Sequence, residues 1–144
     1  MKTLNEYIYE QLDESNGLKA FIIVKPGFLD HVDEIIEYAI RKGFILYKRT
    51  KPMTISLEDA KELYKSLKDK EYYKDLCEYM SSGKIVAASF GFDHDKYPGV
   101  NSIVCMKDIK QHFRDKYAKD DMKNCMHSSD SLNNVQRESK LIIK

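Results

Sequence analysis

An α+β fold is what this sequence predicts, and three observations predict it. Residues 19–24, Lys-Ala-Phe-Ile-Ile-Val, form a short β-branched apolar run stopped by Lys25-Pro26-Gly27, the pattern of a buried central strand. Val32, Ile35, Ile36, Ala39 and Ile40 then recur at helical spacing and end at Gly43. From there to the end of the chain, strand-like and helix-like segments keep alternating.

The elements follow in order. Leu4, Ile8 and Leu12 suit a short amphipathic helix over residues 3–13, and Asn16-Gly17 reads as a turn. Residues 1–16 are therefore expected to be a helical N-terminal extension, with one domain over 17–144. After the first strand and helix, residues 44–50 read as a second strand. Ser56 and Asp59 resemble a capping box that opens a helix through Leu63, Tyr64 and Leu67. A further helix is expected over 70–80, with Tyr73, Leu76, Cys77 and Met80 inward. Residues 84–90 form a third strand, and 91–102 are turn-rich. A helix near 106–113, a short strand near 123–127 and a last helix from after Asp130 to about Lys140 complete the chain. This order suits a ferredoxin-like four-stranded antiparallel sheet covered by helices, with the helices on one face.

Composition excludes several classes. The chain has 144 residues, a length that buries a core without disulfide or metal staples. Lys+Arg 24 against Asp+Glu 23 gives no overall pull toward nucleic acid or a membrane surface. An RNA-binding sheet would need a basic aromatic face, but residues 19–24 and 84–90 are apolar. No run approaches the roughly 20 apolar residues of a membrane span, and the N-terminus lacks a signal-peptide core. Cys77, Cys105 and Cys125 form no CxxC pair, so reduced thiols in the cytoplasm are expected.

The chemistry concentrates in Asn124-Cys125-Met126-His127-Ser128-Ser129-Asp130-Ser131. It places a histidine at the end of a strand, before a Ser/Asp-rich turn able to cap the next helix. An exposed imidazole nitrogen is a competent nucleophile. Glu138 follows about two helical turns beyond the cap and is positioned to reach the second ring nitrogen. Taken alone, a lone histidine is more often structural. His31, His94 and His112 show no partner pattern and read as surface residues.

The octet resembles the nucleoside diphosphate kinase signature N-x-x-H-x-S-D-S, present as Asn124, His127, Ser129, Asp130 and Ser131. Further segments agree in order. Phe21 to Pro26 is similar to the family's first strand and its Lys-Pro. Residues 64–80 resemble its nucleotide-binding helical hairpin. Phe113-Arg114-Asp115-Lys116-Tyr117-Ala118 resembles its Ile-Arg-Gly-Asp-Phe-Ala stretch. The likeness covers residues 20–143.

The resemblance implies a ping-pong transfer. A nucleoside triphosphate phosphorylates His127 at Nδ1, and a nucleoside diphosphate collects the phosphate. Glu138, directly or through a neighbour, orients the other ring nitrogen. Lys25, ending a strand at the sheet edge with a flexible ammonium, is expected to meet phosphate or ribose. Tyr64 would border the histidine and Ser129 would hydrogen-bond beside it. Tyr72 would stack on the base. Arg114 would grip phosphate with its planar fork and Asn124 would bond the ribose. Mg²⁺ would be carried by the nucleotide phosphates, with Asp130 reaching it only through water and no direct protein ligand. Nucleoside di- and triphosphates are the implied partners, together with a homo-oligomer: hexamer, tetramer or dimer.

Residues 91–113 depart most from the family. Lys96 and Ser102 are the nearest candidates for its phosphate-binding arginine and threonine, and Lys for Arg gives up bidentate contact. Lys110-Gln111-His112 replaces its Pro-Gly-Thr, and the loop after Lys25-Pro26 is shortened. The alternative reading is a degenerate family member, a nucleotide-binding or assembly module with little turnover.

Overall fold

The computed structural model describes residues 17–144. The expected helix over 3–13 and the N-terminal extension lie outside the described residues. The elements are β1 (Ala20–Val24), α1 (Val32–Arg41), β2 (Phe44–Arg49), α2 (Leu57–Leu63), α3 (Tyr73–Ser81), β3 (Val86–Phe92), α4 (Ser102–Tyr117), β4 (Met126–Ser128) and α5 (Leu132–Ile142). Single 3-10 turns cover Leu29–His31 and Lys65–Leu67.

The sheet order is β2-β3-β1-β4, with every pairing antiparallel. Ile23 of β1 stands opposite Ala87 on one side and His127 on the other. All five residues of β1 are buried, because helices cover both faces of an inner strand. Ala20, Ile22 and Val24 meet α1 and α4 through Val32, Ile35, Met106, Ile109 and Phe113. Phe21 and Ile23 meet α2, α3 and α5 through Leu63, Leu76, Met80 and Val135. Each of these large side chains contributes roughly 1.5–3 kcal/mol on burial. The expectation that helices occupy one face is corrected: alternate β1 residues feed two separate cores, and each core needs its own helices.

Several boundaries also move. Ser56 caps α2 as its pattern suggests, accepting a hydrogen bond from the Asp59 amide at 3.0 Å. β3 runs on to Phe92, since Gly91 and Phe92 pair with Ile45 and Phe44. α4 begins at Ser102 because Asn101 caps it, accepting from the amides of Ile103 and Val104. It then passes unbroken through Lys110-Gln111-His112. Gly43 has φ 110°, and a Cβ there would come within 2.7 Å of the Tyr97 ring. Only glycine combines that conformation with that approach. Among the described residues no helix is long and apolar enough to cross a membrane.

Candidate active site

β4 is an edge strand, and a cavity of about 550 Å³ lies beside it. That volume suits a small-molecule ligand. The part of the lining from the region of α2 and α3 is largely apolar: Leu63, Leu67, Tyr72 and Leu76, with Met122 from the loop before β4. The part from α4, β4, α5 and the loop between β4 and α5 is charged: Lys110, Arg114, His127, Asp130, Arg137 and Glu138.

His127 is the middle residue of β4 rather than its last. The chain enters this strand through a tight turn. Cys125 adopts φ 84°, and the Met126 amide donates back to the Asn124 carbonyl at 3.1 Å. This three-residue γ-turn stores strain in a buried cysteine just ahead of the histidine. The Cys125 carbonyl accepts from the Lys25 amide at 2.9 Å, which ties the turn to the end of β1.

Glu138 comes back to the histidine from α5. Ser131 caps that helix, accepting from the Asn134 amide at 3.1 Å, and Val135 anchors it in the core. Within the Ser/Asp-rich turn it is Ser131 that does the capping. Glu138, 3% exposed, sets Oε1 2.5 Å from His127 Nε2. Its other oxygen lies 3.8 Å from Arg137 Nη2. A carboxylate at Nε2 favours the tautomer with its proton there, leaving the Nδ1 lone pair free. Nδ1 has no hydrogen-bond partner among the described residues. The Tyr64 ring packs edge-on against the imidazole, with centroids 5.3 Å apart. Its buried hydroxyl has no partner among the described residues, and burial pushes the phenol above its ordinary range, so it remains a neutral donor.

The cations are largely held in place. Lys25 is 3% exposed and donates to Asn124 Oδ1 at 2.7 Å and to the Met122 carbonyl at 3.1 Å. It is neither flexible nor at the sheet edge, because β1 is an inner strand. Burial, with Arg114 and Lys110 nearby, lowers its pKa to about 7. Asn124 also donates to the Asp121 carbonyl at 2.7 Å, so its amide is engaged at both ends. Arg114 directs Nε and Nη2 at the Met126 carbonyl, at 3.2 and 3.0 Å. Arg137 donates to the carbonyls of Glu62 and Leu63 and to Asn134 Oδ1.

The cavity therefore gathers Lys25, Tyr64, Tyr72, Arg114, Asn124, His127, Asp130 and Glu138. Ser129 is buried behind them, its Oγ unpartnered and its amide bonded to the Phe21 carbonyl. Lys96 and Ser102 are not brought to the cavity. Lys96 is exposed over the Tyr97 ring, and the Ser102 hydroxyl donates to the Lys19 carbonyl at 3.0 Å. Order along a rearranged loop does not say which way its side chains turn. Lys110 and Arg137 were missed. One sequence feature marks Lys110: it precedes Arg114 by one helical turn on the same face. Among the described residues no group of three or more His, Cys, Asp or Glu is placed to hold a metal ion.

Fold and site together define an α+β protein whose edge-strand histidine is braced by a buried carboxylate and opens on a cation-lined cavity. The nucleoside diphosphate kinase family model matches residues 18–144, and the chain belongs to that family. It is 30% identical to the nucleoside diphosphate kinase of Aquifex aeolicus, covering 83% of this chain and 89% of that one. It is 29% identical to human nucleoside diphosphate kinase homolog 5 over 83% of this chain, and spans 59% of that relative's length. A crystal structure of the Aquifex aeolicus enzyme superposes with a TM-score of 0.69 at 28% identity, covering 89% of this chain and 96% of that one. The enzyme of Encephalitozoon cuniculi, at 22% identity over 86% of this chain and 87% of that one, shares the fold with a TM-score of 0.68.

Proposed function

We propose that the protein is an active nucleoside diphosphate kinase that forms a phosphohistidine on His127. The observation that carries this reading is the 2.5 Å contact from Glu138 to Nε2, opposite an unpartnered Nδ1. In the first half-reaction Nδ1 attacks the terminal phosphorus of a nucleoside triphosphate. The N–P bond forms, the bond to the bridging oxygen breaks, and the diphosphate leaves. Positive charge then develops on the imidazole, and Glu138, accepting from Nε2–H, offsets it. In the second half-reaction a terminal oxygen of another nucleoside diphosphate attacks the same phosphorus, and His127 Nδ1 is the leaving group.

The other residues bind and orient. Lys25 and Arg114 present cations to the phosphates. Tyr72, 47% exposed in the apolar part of the lining, offers a ring for the base without reading its edges. Tyr64 lines the cavity and keeps a buried hydroxyl, without a partner among the described residues, beside the histidine and available to a phosphate oxygen, while Ser129 supports the strand from behind. Asn124 acts chiefly by fixing the Lys25 ammonium. Mg²⁺ would neutralise charge on the nucleotide phosphates. Asp121 and Asp130 line the cavity, and such a donor set fits an ion held mainly by phosphates and water. Assembly as a homo-oligomer and a cytoplasmic location belong to the same proposal.

The test is incubation with γ-labelled ATP. An acid-labile, base-stable phosphoprotein is expected, and it is lost in His127→Ala. The second reading, a nucleotide-binding module with little turnover, draws on the position of Lys96 and Ser102 outside the cavity. A wild-type protein that binds ADP yet takes up no label would favour it.

A further inference from the structure

Four cationic side chains line the cavity: Lys25, Lys110, Arg114 and Arg137. Three are committed to protein acceptors: Lys25 to Asn124 and Met122, Arg114 to Met126, and Arg137 to Glu62, Leu63 and Asn134. Lys110 has no hydrogen bond, ion pair or ring contact among the described residues. It is half-buried in the wall of α4, and burial together with the Arg114 charge lowers its pKa. A partly desolvated ammonium beside another cation carries a cost, which Asp130 and Glu138 offset only in part. A polyanion would relieve that cost.

Position agrees with charge. Lys110 lines the cavity together with His127 and Asp130, on the same face of α4 as Arg114. Arg114 bonds the Met126 carbonyl next to His127, so a nucleotide with its terminal phosphate at His127 would bring its phosphates to Arg114 and to Lys110 one helical turn before it.

We propose that Lys110 is a phosphate-binding residue for the nucleotide, supplying the free cation that Lys96, outside the cavity, does not. This rests on the nucleotide reading above and adds to it a residue on a helix face rather than a loop. A primary ammonium gives a point charge instead of a fork, so it fits phosphates in more than one position. That suits a site where a triphosphate and a diphosphate bind in turn.

The experiment measures ADP affinity by calorimetry for wild type, Lys110→Gln, Lys110→Met and Lys110→Arg, with Lys107→Gln as control. Lys107 is exposed on the same helix and does not line the cavity. Thermal unfolding of each variant checks the fold. The expected result is a loss of about tenfold or more in ADP affinity for the Gln and Met variants. Lys110→Arg recovers most of it, and Lys107→Gln stays within about twofold, as surface screening predicts. Equal affinity in Lys110→Gln and wild type overturns the proposal, as does an equal loss in Lys107→Gln. A wild type that binds no ADP overturns it too. Phosphate labelling of His127 separates the two readings. Label with no Lys110 dependence removes Lys110 alone, whereas Lys110-dependent ADP binding without label removes the kinase reading and keeps the phosphate contact.

Discussion

Lys25 Nζ donates a 2.7 Å hydrogen bond to Asn124 Oδ1, and both side chains are buried across 99 residues of sequence. The bond locks the end of β1 to the turn that delivers His127. It also confines a charge where water does not reach, and for that reason the ammonium titrates near 7. In the unfolded chain it titrates near 10.5. Between those values the unfolded chain holds more protons than the folded one, so this group makes stability rise with pH. Above about pH 9 the raised pKa values of Cys125 and Tyr79, about 11 and 12, act in the opposite sense. The clean window is therefore pH 7–9. Urea unfolding of wild type and Lys25→Met across that window should show a steeper rise for wild type, by at most about 1.4 kcal/mol per pH unit. Parallel slopes would mean that Lys25 stays charged in the fold.

Glu138→Gln isolates the charge that faces His127. Glutamine keeps an acceptor oxygen near Nε2 but carries no negative charge to offset the developing imidazolium. A loss on the order of 1.5–3 kcal/mol in the phosphorylation barrier is expected, about 10- to 100-fold in rate. Rapid-quench measurement of label transfer from ATP reads that rate, while thermal unfolding reports the fold. A rate within about twofold of wild type would show that the carboxylate only positions the ring.

The fold was legible where local pattern and burial agree. The Ala20–Val24 run has no polar residue, and only an inner strand covered on both faces accommodates that. The start of α4 is not legible, because its core face, Met106, Ile109 and Phe113, begins a turn after its cap, and Asn101 among turn residues does not announce a helix. The octet around His127 singled out the histidine, and the interval of eleven residues singled out Glu138 as the carboxylate that meets it. The bonds of Lys25 to Asn124 and Met122 were not visible, since they join segments nearly a hundred residues apart. Lys110 was hidden for a different reason: α4 also carries Lys107 and Lys116, and charge alone does not say which lysine faces a cavity.

Arg114 braces β4, and the proposed function gives it phosphate binding as a second purpose that substitution can separate from the first. Its Nε and Nη2 brace the Met126 carbonyl, while Nη1 has no partner among the described residues. Arg114→Lys keeps a cation but loses the fork. Arg114→Ala should raise the nucleotide KM and lower kcat together, with kcat/KM reduced by on the order of 1.5–3 kcal/mol per lost phosphate contact. Its melting temperature should also fall, because β4 loses its brace. Steady-state kinetics and calorimetric melting of both variants decide the matter. Unchanged kinetics with a lowered melting temperature would assign Arg114 to structure alone.

The last helix depends on a single hydroxyl at its start. Ser131 Oγ accepts from the Asn134 amide at 3.1 Å, whereas Ser129 is buried upstream with its hydroxyl unpartnered. Ser131→Ala should cost about 1 kcal/mol, and Ser131→Gly only a few tenths. For a domain of this size the first corresponds to a fall of roughly 2–8 °C in melting temperature. The consequence reaches the site, because α5 carries Glu138 seven residues further along to His127. A frayed first turn loosens that contact, so label transfer to His127 in Ser131→Ala should slow by more than in Ser131→Gly. Equal melting temperatures for the Ala and Gly variants would show that the hydroxyl does not cap this helix in solution.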